Sequence, residues 1–323
     1  MGRGLSFYIA VVAGASDIYQ RQRCKLTYVR RILVKRYTVL AKGRPIPIQD
    51  CPLIMGIVNV TPDSFSDGGR YVTVDQAVER AVALEAQGAD ILDLGAESTR
   101  PGATPVGEQE EIDRLLPVLH EVVKRTAVPI SVDTMKSRVA REALNAGASI
   151  INDVTAMRFD PDMAAVVAQY GAGIVMMHMQ GMPMTMQEAP RYDSVVEDVC
   201  KFFVERIAAA ERAGIAKSQI VLDPGFGFGK LLVHNLELLN HLSSFDQLDR
   251  PVLAGISRKA FLGRILDRPV QDREWGTAAA VALAVDRGAS IIRVHDVASM
   301  KDVVMVAAAV RAASRTSKQE YYA

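Results

Sequence analysis

Apolar runs of strand length that stop abruptly at polar residues recur along this chain. Leu53-Ile-Met-Gly-Ile-Val58 runs into Asn59-Val-Thr-Pro-Asp-Ser-Phe-Ser-Asp-Gly-Gly69, and Asp90-Ile-Leu-Asp-Leu-Gly95 into Ala96-Glu-Ser-Thr-Arg-Pro-Gly102. Val128-Pro-Ile-Ser-Val132 stops at Asp133, Ser149-Ile-Ile151 at Asn152, and Gly173-Ile-Val-Met-Met177 at His178. Ile220-Val-Leu222 stops at Asp223, Val252-Leu-Ala-Gly-Ile256 at Ser257, and Ile291-Ile292 at Arg293. Such runs read as buried strands that deliver polar loops at their C-terminal ends.

Between them lie stretches with apolar residues at three-to-four spacing, the period of helices packed on one face. They run over Asp75 to Gln87, Glu108 to Arg125, Lys136 to Ala146 and Pro161 to Tyr170, then Asp193 to Ala213, His234 to Leu242, Trp275 to Arg287 and Ala298 to Ala313. Gln87-Gly-Ala-Asp90, Ala146-Gly-Ala-Ser149 and Arg287-Gly-Ala-Ser290 are near copies. Each reads as a helix stopped by a left-handed Gly cap, then a short turn into a buried strand. Eight strands alternating with eight helices predict an α/β fold, a closed (β/α)8 TIM barrel. The open doubly wound sheet is the alternative; no Gly-x-Gly-x-x-Gly follows the first strand to support it.

Upstream, Leu26-Thr-Tyr-Val29, Ile32-Leu-Val34 and Tyr37-Thr-Val-Leu40 are strand formers broken by Arg and Lys, and predict a small hairpin between Cys24 and Ile48. Gly43-Arg-Pro-Ile-Pro47 reads as punctuation at a boundary. The expected division is therefore a basic N-terminal extension and hairpin over 1–50, and a barrel over 51–323.

Of the 323 residues, 49% are hydrophobic, enough for a sizeable core, and the formal net charge is +1. That balance gives no reason to expect nucleic acid or an acidic membrane as partner. Met1 to Arg44 is the exception, with ten Lys and Arg against Asp17 alone; for the basic residues of the hairpin, a solvated strand face is a better reading than a nucleic-acid patch. Three widely spaced cysteines, Cys24, Cys51 and Cys200, lack the pairing of a disulfide framework, so a cytoplasmic location is expected. Leu5 to Ala15 has the look of a secretory core behind Arg3, but its charged flank is thin.

In a barrel the strand ends converge on one mouth. Asn59, Thr99, Arg100, Asp133, Asn152, Asp223, Lys259, Arg293 and His295 would meet there, although any one Asp alone could be a helix cap. Carboxylates and an amide in a partly apolar pocket suit a planar heterocycle bearing amino and ring N–H donors. Arg and His at the last strand suit a phosphate or diphosphate. Asn59, with Asp63 or Asp67, could hold Mg²⁺ on that diphosphate. Asp223-Pro-Gly-Phe-Gly-Phe-Gly-Lys230 fails as a nucleotide loop, having Pro224 and Leu231 where Gly and Ser or Thr are needed. Its glycines instead suit close backbone approach to a flat ligand, with Phe226 or Phe228 as an aromatic face. The Met-rich Met176 to Met186 reads as an apolar wall with a hydrogen-bonded His178, in preference to a soft-metal tract.

Together these motifs, with Glu97-Ser-Thr-Arg-Pro-Gly102, Ser131-Val-Asp-Thr134, Asn152-Asp-Val154, Gly255-Ile-Ser-Arg-Lys259 and Arg293-Val-His-Asp-Val297, closely resemble the dihydropteroate synthase family from about Pro52 onward. The resemblance implies a folate-pathway transferase that joins 6-hydroxymethyl-7,8-dihydropterin diphosphate to 4-aminobenzoate. It implies a pterin site of Asp133, Asn152, Met177, Asp223, Lys259 and Arg293, and a diphosphate site of Asn59, Thr99, Arg100, Arg293 and His295 with Mg²⁺ at Asn59. It implies an aminobenzoate site of Phe65, Thr99, Pro101, Phe228, Ser257 and Lys259, and chemistry carried by Asp133, Asp223, Lys259, Arg293 and His295. Sulfonamides are the expected competitive inhibitors and a homodimer the expected assembly. A methyltetrahydrofolate methyltransferase barrel would need no diphosphate site, and a non-catalytic pterin-binding barrel would be expected to lose Thr99 and Arg100.

Overall fold

The computed structural model describes residues 35–60, 74–98, 103–181 and 185–313. Strands β3 (Leu53–Asn59), β4 (Ile91–Gly95), β5 (Ile130–Asp133), β6 (Ile150–Asp153), β7 (Gly173–Met177), β8 (Ile220–Asp223), β9 (Leu253–Ala254) and β10 (Ile291–Val294) lie parallel in one sheet, in the spatial order β8-β7-β6-β5-β4-β3-β10-β9. A parallel bridge from Leu222 to Val252 joins its two edges and closes the barrel. The helices among the described residues are α1 (Val74–Ala86), α2 (Glu108–Arg125), α3 (Ser137–Asn145), α4 (Met163–Tyr170), α5 (Val195–Arg212), α6 (Leu232–Asn240), α7 (Ala260–Leu266), α8 (Glu274–Asp286) and α9 (Val297–Ala313). The expected (β/α)8 barrel is therefore the observed one.

The predicted Gly stops are helix caps. Gly88, Gly147 and Gly288 have φ of +97°, +117° and +98°, and the next residue donates back to the carbonyl of Leu84, Ala143 and Ala284 respectively. Only glycine adopts that backbone without strain, which ends each helix and turns the chain into the next strand.

Two expectations need correction. The hairpin is formed by β1 (Tyr37–Ala41) and β2 (Arg44–Ile48), so Arg44-Pro-Ile-Pro-Ile48 is a strand and not a boundary. Its prolines alternate with the buried Ile46 and Ile48, and both strands are sheet edges, where proline is tolerated. Lys42 and Gly43, both at positive φ, make the two-residue turn. Leu26 to Val29 and Ile32 to Val34 lie outside the described residues. The strand expected over Val252 to Ile256 shrinks to Leu253–Ala254, and α7, unforeseen, begins directly after Lys259.

The period of two in a strand explains how the site is placed. Val39, Ala41, Ile46 and Ile48 of the hairpin pack against Met55, Ile91, Ile150, Val175, Val221, Leu253 and Ile291, the inward residues at the N-terminal end of the barrel. Side chains two positions on share the same face. From Ile91, Ile150, Val175, Val221 and Ile291 that step reaches Asp93, Asn152, Met177, Asp223 and Arg293. The alternate residues, such as Leu92, Val132, Ile151, Ile174, Leu222 and Ile292, face outward into the core beneath the helices. One end of the barrel interior is therefore closed by hydrocarbon, and the other carries charge.

Candidate active site

Strand register sets the first row of the mouth: Asn59 pairs with Gly95, Gly95 with Asp133, and Asp133 with Asn152, while Met177 pairs with Asp223. Below them lies Asp93, wholly buried and absent from the sequence-derived residues. Its Oδ2 accepts from Arg293 Nε at 2.6 Å and from Asn152 Nδ2 at 3.1 Å. The other side of the Arg293 fork donates to Asp133 Oδ2 at 2.9 Å. The sequence signal for Asp93 was its place two residues after the apolar Ile91, in phase with the inward face. A buried mid-strand carboxylate requires a cation or donors to hold it.

Electrostatics follow from that arrangement. Burial disfavours the Arg293 charge, but the Asp93 and Asp133 carboxylates outweigh it and hold the guanidinium protonated above its ordinary range. Burial pushes the Asp133 carboxyl up to about 7, with Arg293 pulling it down and Asp93 pushing it further up. Burial likewise raises Asp223, opposed by the Gly225 N–H that its Oδ1 accepts at 2.8 Å and by the Lys259 and Arg293 charges. The described part of the mouth thus presents carboxylates and an amide to a ligand rich in N–H donors.

The walls are apolar. Met135, Val154, Met177, Met179, Met186 and Phe228 form one cluster beside the mouth, the apolar wall expected of the Met-rich stretch. Lys259 Nζ stands 4.2 Å from the centre of the Phe228 ring, a cation–π contact at the rim. Phe226, the other aromatic considered, is instead in the core, tilted against Phe261. The glycines of this loop serve protein contacts as well: a Cβ on Gly225 would lie 2.0 Å from His178 O, and one on Gly229 2.3 Å from Gln180 O. Lys230 Nζ, buried, bonds His178 Nδ1 at 2.9 Å, Phe228 O at 3.1 Å and His178 O at 3.3 Å, matching the three donors of an ammonium. Loss of solvent around Lys230 draws its pKa down to about 7, and His178 is held well below its ordinary value by burial and the Lys230 charge.

At the last strands Ser257 Oγ lies 2.9 Å from His295 Nδ1, so two residues expected in different subsites are directly bonded. Arg258, at φ +56°, pairs its fork with Asp296 at 2.9 and 2.6 Å, tying the Ser257-Arg-Lys259 turn to the end of β10. Arg80 Nη2 anchors the His295 carbonyl at 2.6 Å. Phe65, Thr99, Arg100 and Pro101, like Asp63 and Asp67, lie outside the described residues. No group of three or more His, Cys, Asp or Glu side chains placed to hold a metal is found among the described residues.

A parallel barrel that gathers buried carboxylates, an amide, an arginine fork and a thioether wall at the C-terminal strand ends defines a barrel enzyme for an N–H-rich planar heterocycle. The "Pterin binding enzyme" family model matches residues 55–295. The dihydropteroate synthase of Escherichia coli (strain K12) is 46% identical over 282 residues, covering 87% of this chain and 99% of the relative. A solved Yersinia pestis dihydropteroate synthase in complex with a sulfonamide drug superposes with a TM-score of 0.81 at 44% identity, covering 85% of this chain and 99% of that one. The Xanthomonas albilineans enzyme with 4-aminobenzoic acid gives 0.80 at 49% identity, covering 86% and 99%. The chain belongs to the pterin-binding enzyme family and, within it, groups with the dihydropteroate synthases.

Proposed function

We propose that this protein is a transferase of folate biosynthesis that condenses 6-hydroxymethyl-7,8-dihydropterin diphosphate with 4-aminobenzoate, giving 7,8-dihydropteroate and diphosphate. The observation that carries this reading is the charged inward layer of Asp93, Asp133, Asn152, Asp223 and Arg293 above a closed hydrocarbon floor. The pterin amino and ring N–H groups donate to Asp133, Asp223 and the Asn152 amide, with Met177 and Arg293 against the ring. The ring's electron richness lets the carbon–oxygen bond break with its electron pair leaving on diphosphate, and the buried carboxylates stabilise the cation that develops. The aminobenzoate nitrogen then forms the new bond to that carbon and loses a proton.

Asn59, Arg293 and His295, with Thr99 and Arg100, are the proposed diphosphate groups. Phe228, Ser257 and Lys259, with Phe65, Thr99 and Pro101, are the proposed aminobenzoate groups. The 2.9 Å bond between Ser257 and His295 supports a reading in which the two sets adjoin. The half-buried amide of Asn59 at the end of β3 suits Mg²⁺, which takes few protein oxygens when phosphate and water supply the rest. Mg²⁺ held there would neutralise charge on the diphosphate.

Sulfonamides would compete for the aminobenzoate site. Exposed apolar side chains on the neighbouring helices α6, α8 and α9, including Val233, Leu236, Trp275, Met305, Val306 and Val310, support a homodimer, measurable by light scattering. No helix among the described residues is long and apolar enough to cross a membrane. The free, unpaired Cys51 and Cys200 support a cytoplasmic location. The reading is tested by omitting each substrate in turn: diphosphate release should require both, and release independent of aminobenzoate would contradict a synthase.

A further inference from the structure

Three charged side chains that the proposed chemistry does not use lie side by side, from just after β4, the first turn of α2 and just after β5. Lys136 Nζ donates to Glu97 Oε2 at 2.6 Å and to Glu111 Oε2 at 2.5 Å. The side chains of Lys136, Glu97 and Glu111 are 8%, 7% and 0% exposed. Burying such a trio gains little stability over hydrocarbon of the same volume, so its presence asks for a positional reason.

The bonds supply one. The second oxygen of Glu97, Oε1, accepts the Val106 N–H at 2.9 Å, closing the two stems of the loop across nine positions. Glu111 lies in the first turn of α2, the element the loop enters. Lys136 follows β5 three residues after Asp133; Thr134 Oγ1 accepts its N–H at 3.3 Å, and Thr134 N donates to Asn152 O at 3.1 Å. Lys136 therefore rests on the strand ends that carry Asp133 and Asn152, and holds both ends of a loop that Glu97 closes.

We infer that Lys136, acting through Glu97, is a positioning residue that ties Glu97 and Val106 to the strand ends carrying Asp133 and Asn152, and so sets the affinity for the arylamine substrate. This rests on the proposed function, in which Thr99 and Pro101 of that loop meet aminobenzoate. Removing Lys136 would leave two buried carboxylates without their cation, so the informative change is Glu97→Ala, which spares the Lys136 and Glu111 pair. Glu97→Gln keeps an oxygen for Val106.

Three readouts separate the possibilities: KM for aminobenzoate, affinity for a diphosphate-free pterin analogue, and hydrogen exchange of the Val106 amide without ligand. Glu97→Ala should raise KM for aminobenzoate at least tenfold and speed Val106 exchange at least tenfold, with analogue affinity within twofold of wild type. Glu97→Gln should recover most of both losses. Unchanged Val106 exchange in Glu97→Ala overturns the clasp. An unchanged aminobenzoate KM, or an equal loss of analogue affinity, overturns its role in substrate binding. A wild type that makes no dihydropteroate refutes the proposed function alone, and the Val106 exchange still decides the clasp.

Discussion

The guanidinium of Arg293 and the carboxylate of Asp133 meet at 2.9 Å at the barrel mouth, although 160 positions separate them in the chain. The same fork holds Asp93 at 2.6 Å, so one cation is shared by two buried carboxylates. Asp93→Asn keeps the shape and removes one charge. A charged hydrogen bond contributes about 1.5–3 kcal/mol. The variant should therefore lose roughly ten- to a hundredfold in kcat/KM with its fold intact, as steady-state kinetics and circular dichroism would show.

The Asp133 carboxyl, raised by burial from 3.8 to about 7, makes pH a probe of the site. The carboxylate form accepts from ring N–H groups, so pterin affinity should fall as pH drops below about 7, approaching tenfold per unit. Stability runs the other way. The folded chain binds the extra proton between the two values, so this contribution is complete below about 4 and lost as pH rises through 7. Calorimetric titration of a pterin analogue from pH 5 to 8 checks the first trend, and Asp133→Asn should flatten it.

The hairpin should matter to stability and not to chemistry. Ile48 is 2% exposed against the barrel floor, far from the polar mouth. Ile48→Ala should cost about 2–4 kcal/mol in urea unfolding while turnover at low temperature stays near wild type. Deleting Met1 to Gln20, which precedes the hairpin, should leave folding and activity intact.

Gly225 is expected to tolerate no side chain. Its φ is +72°, and an added Cβ would sit 2.0 Å from His178 O, on the backbone that Lys230 also bonds. Gly225→Ala should lower the thermal midpoint and weaken aminobenzoate use, because the loop carrying Phe228 must shift. A variant with wild-type melting would contradict the close packing of these loops.

How far the chain was readable depends on the kind of signal. The barrel was legible because each strand ends in polarity and Gly88, Gly147 and Gly288 repeat one capping device. Asp133, Asn152, Asp223 and Arg293 were legible because they stand at those ends. Asp93 was not, since it interrupts an apolar run instead of terminating it, and only the pleat shows that it faces inward. Gly43-Arg-Pro-Ile-Pro47 looked like punctuation because its two prolines mask the period-two strand Arg44–Ile48. Lys136 and Glu111 carry no local pattern, and Glu97 was legible only as the first residue of a motif; their burial is what gives these charges a role.

Dihydropteroate formation is the most direct readout of the proposed chemistry at this mouth. Purified protein incubated with the dihydropterin diphosphate, 4-aminobenzoate and Mg²⁺, alongside Asp223→Asn in the same assay, tests it by mass spectrometry. Wild type should form dihydropteroate with equimolar diphosphate, and the variant at least about tenfold more slowly, from the loss of a charged acceptor. No dihydropteroate from wild type would contradict the synthase activity, and an undiminished rate in Asp223→Asn would contradict this site for it.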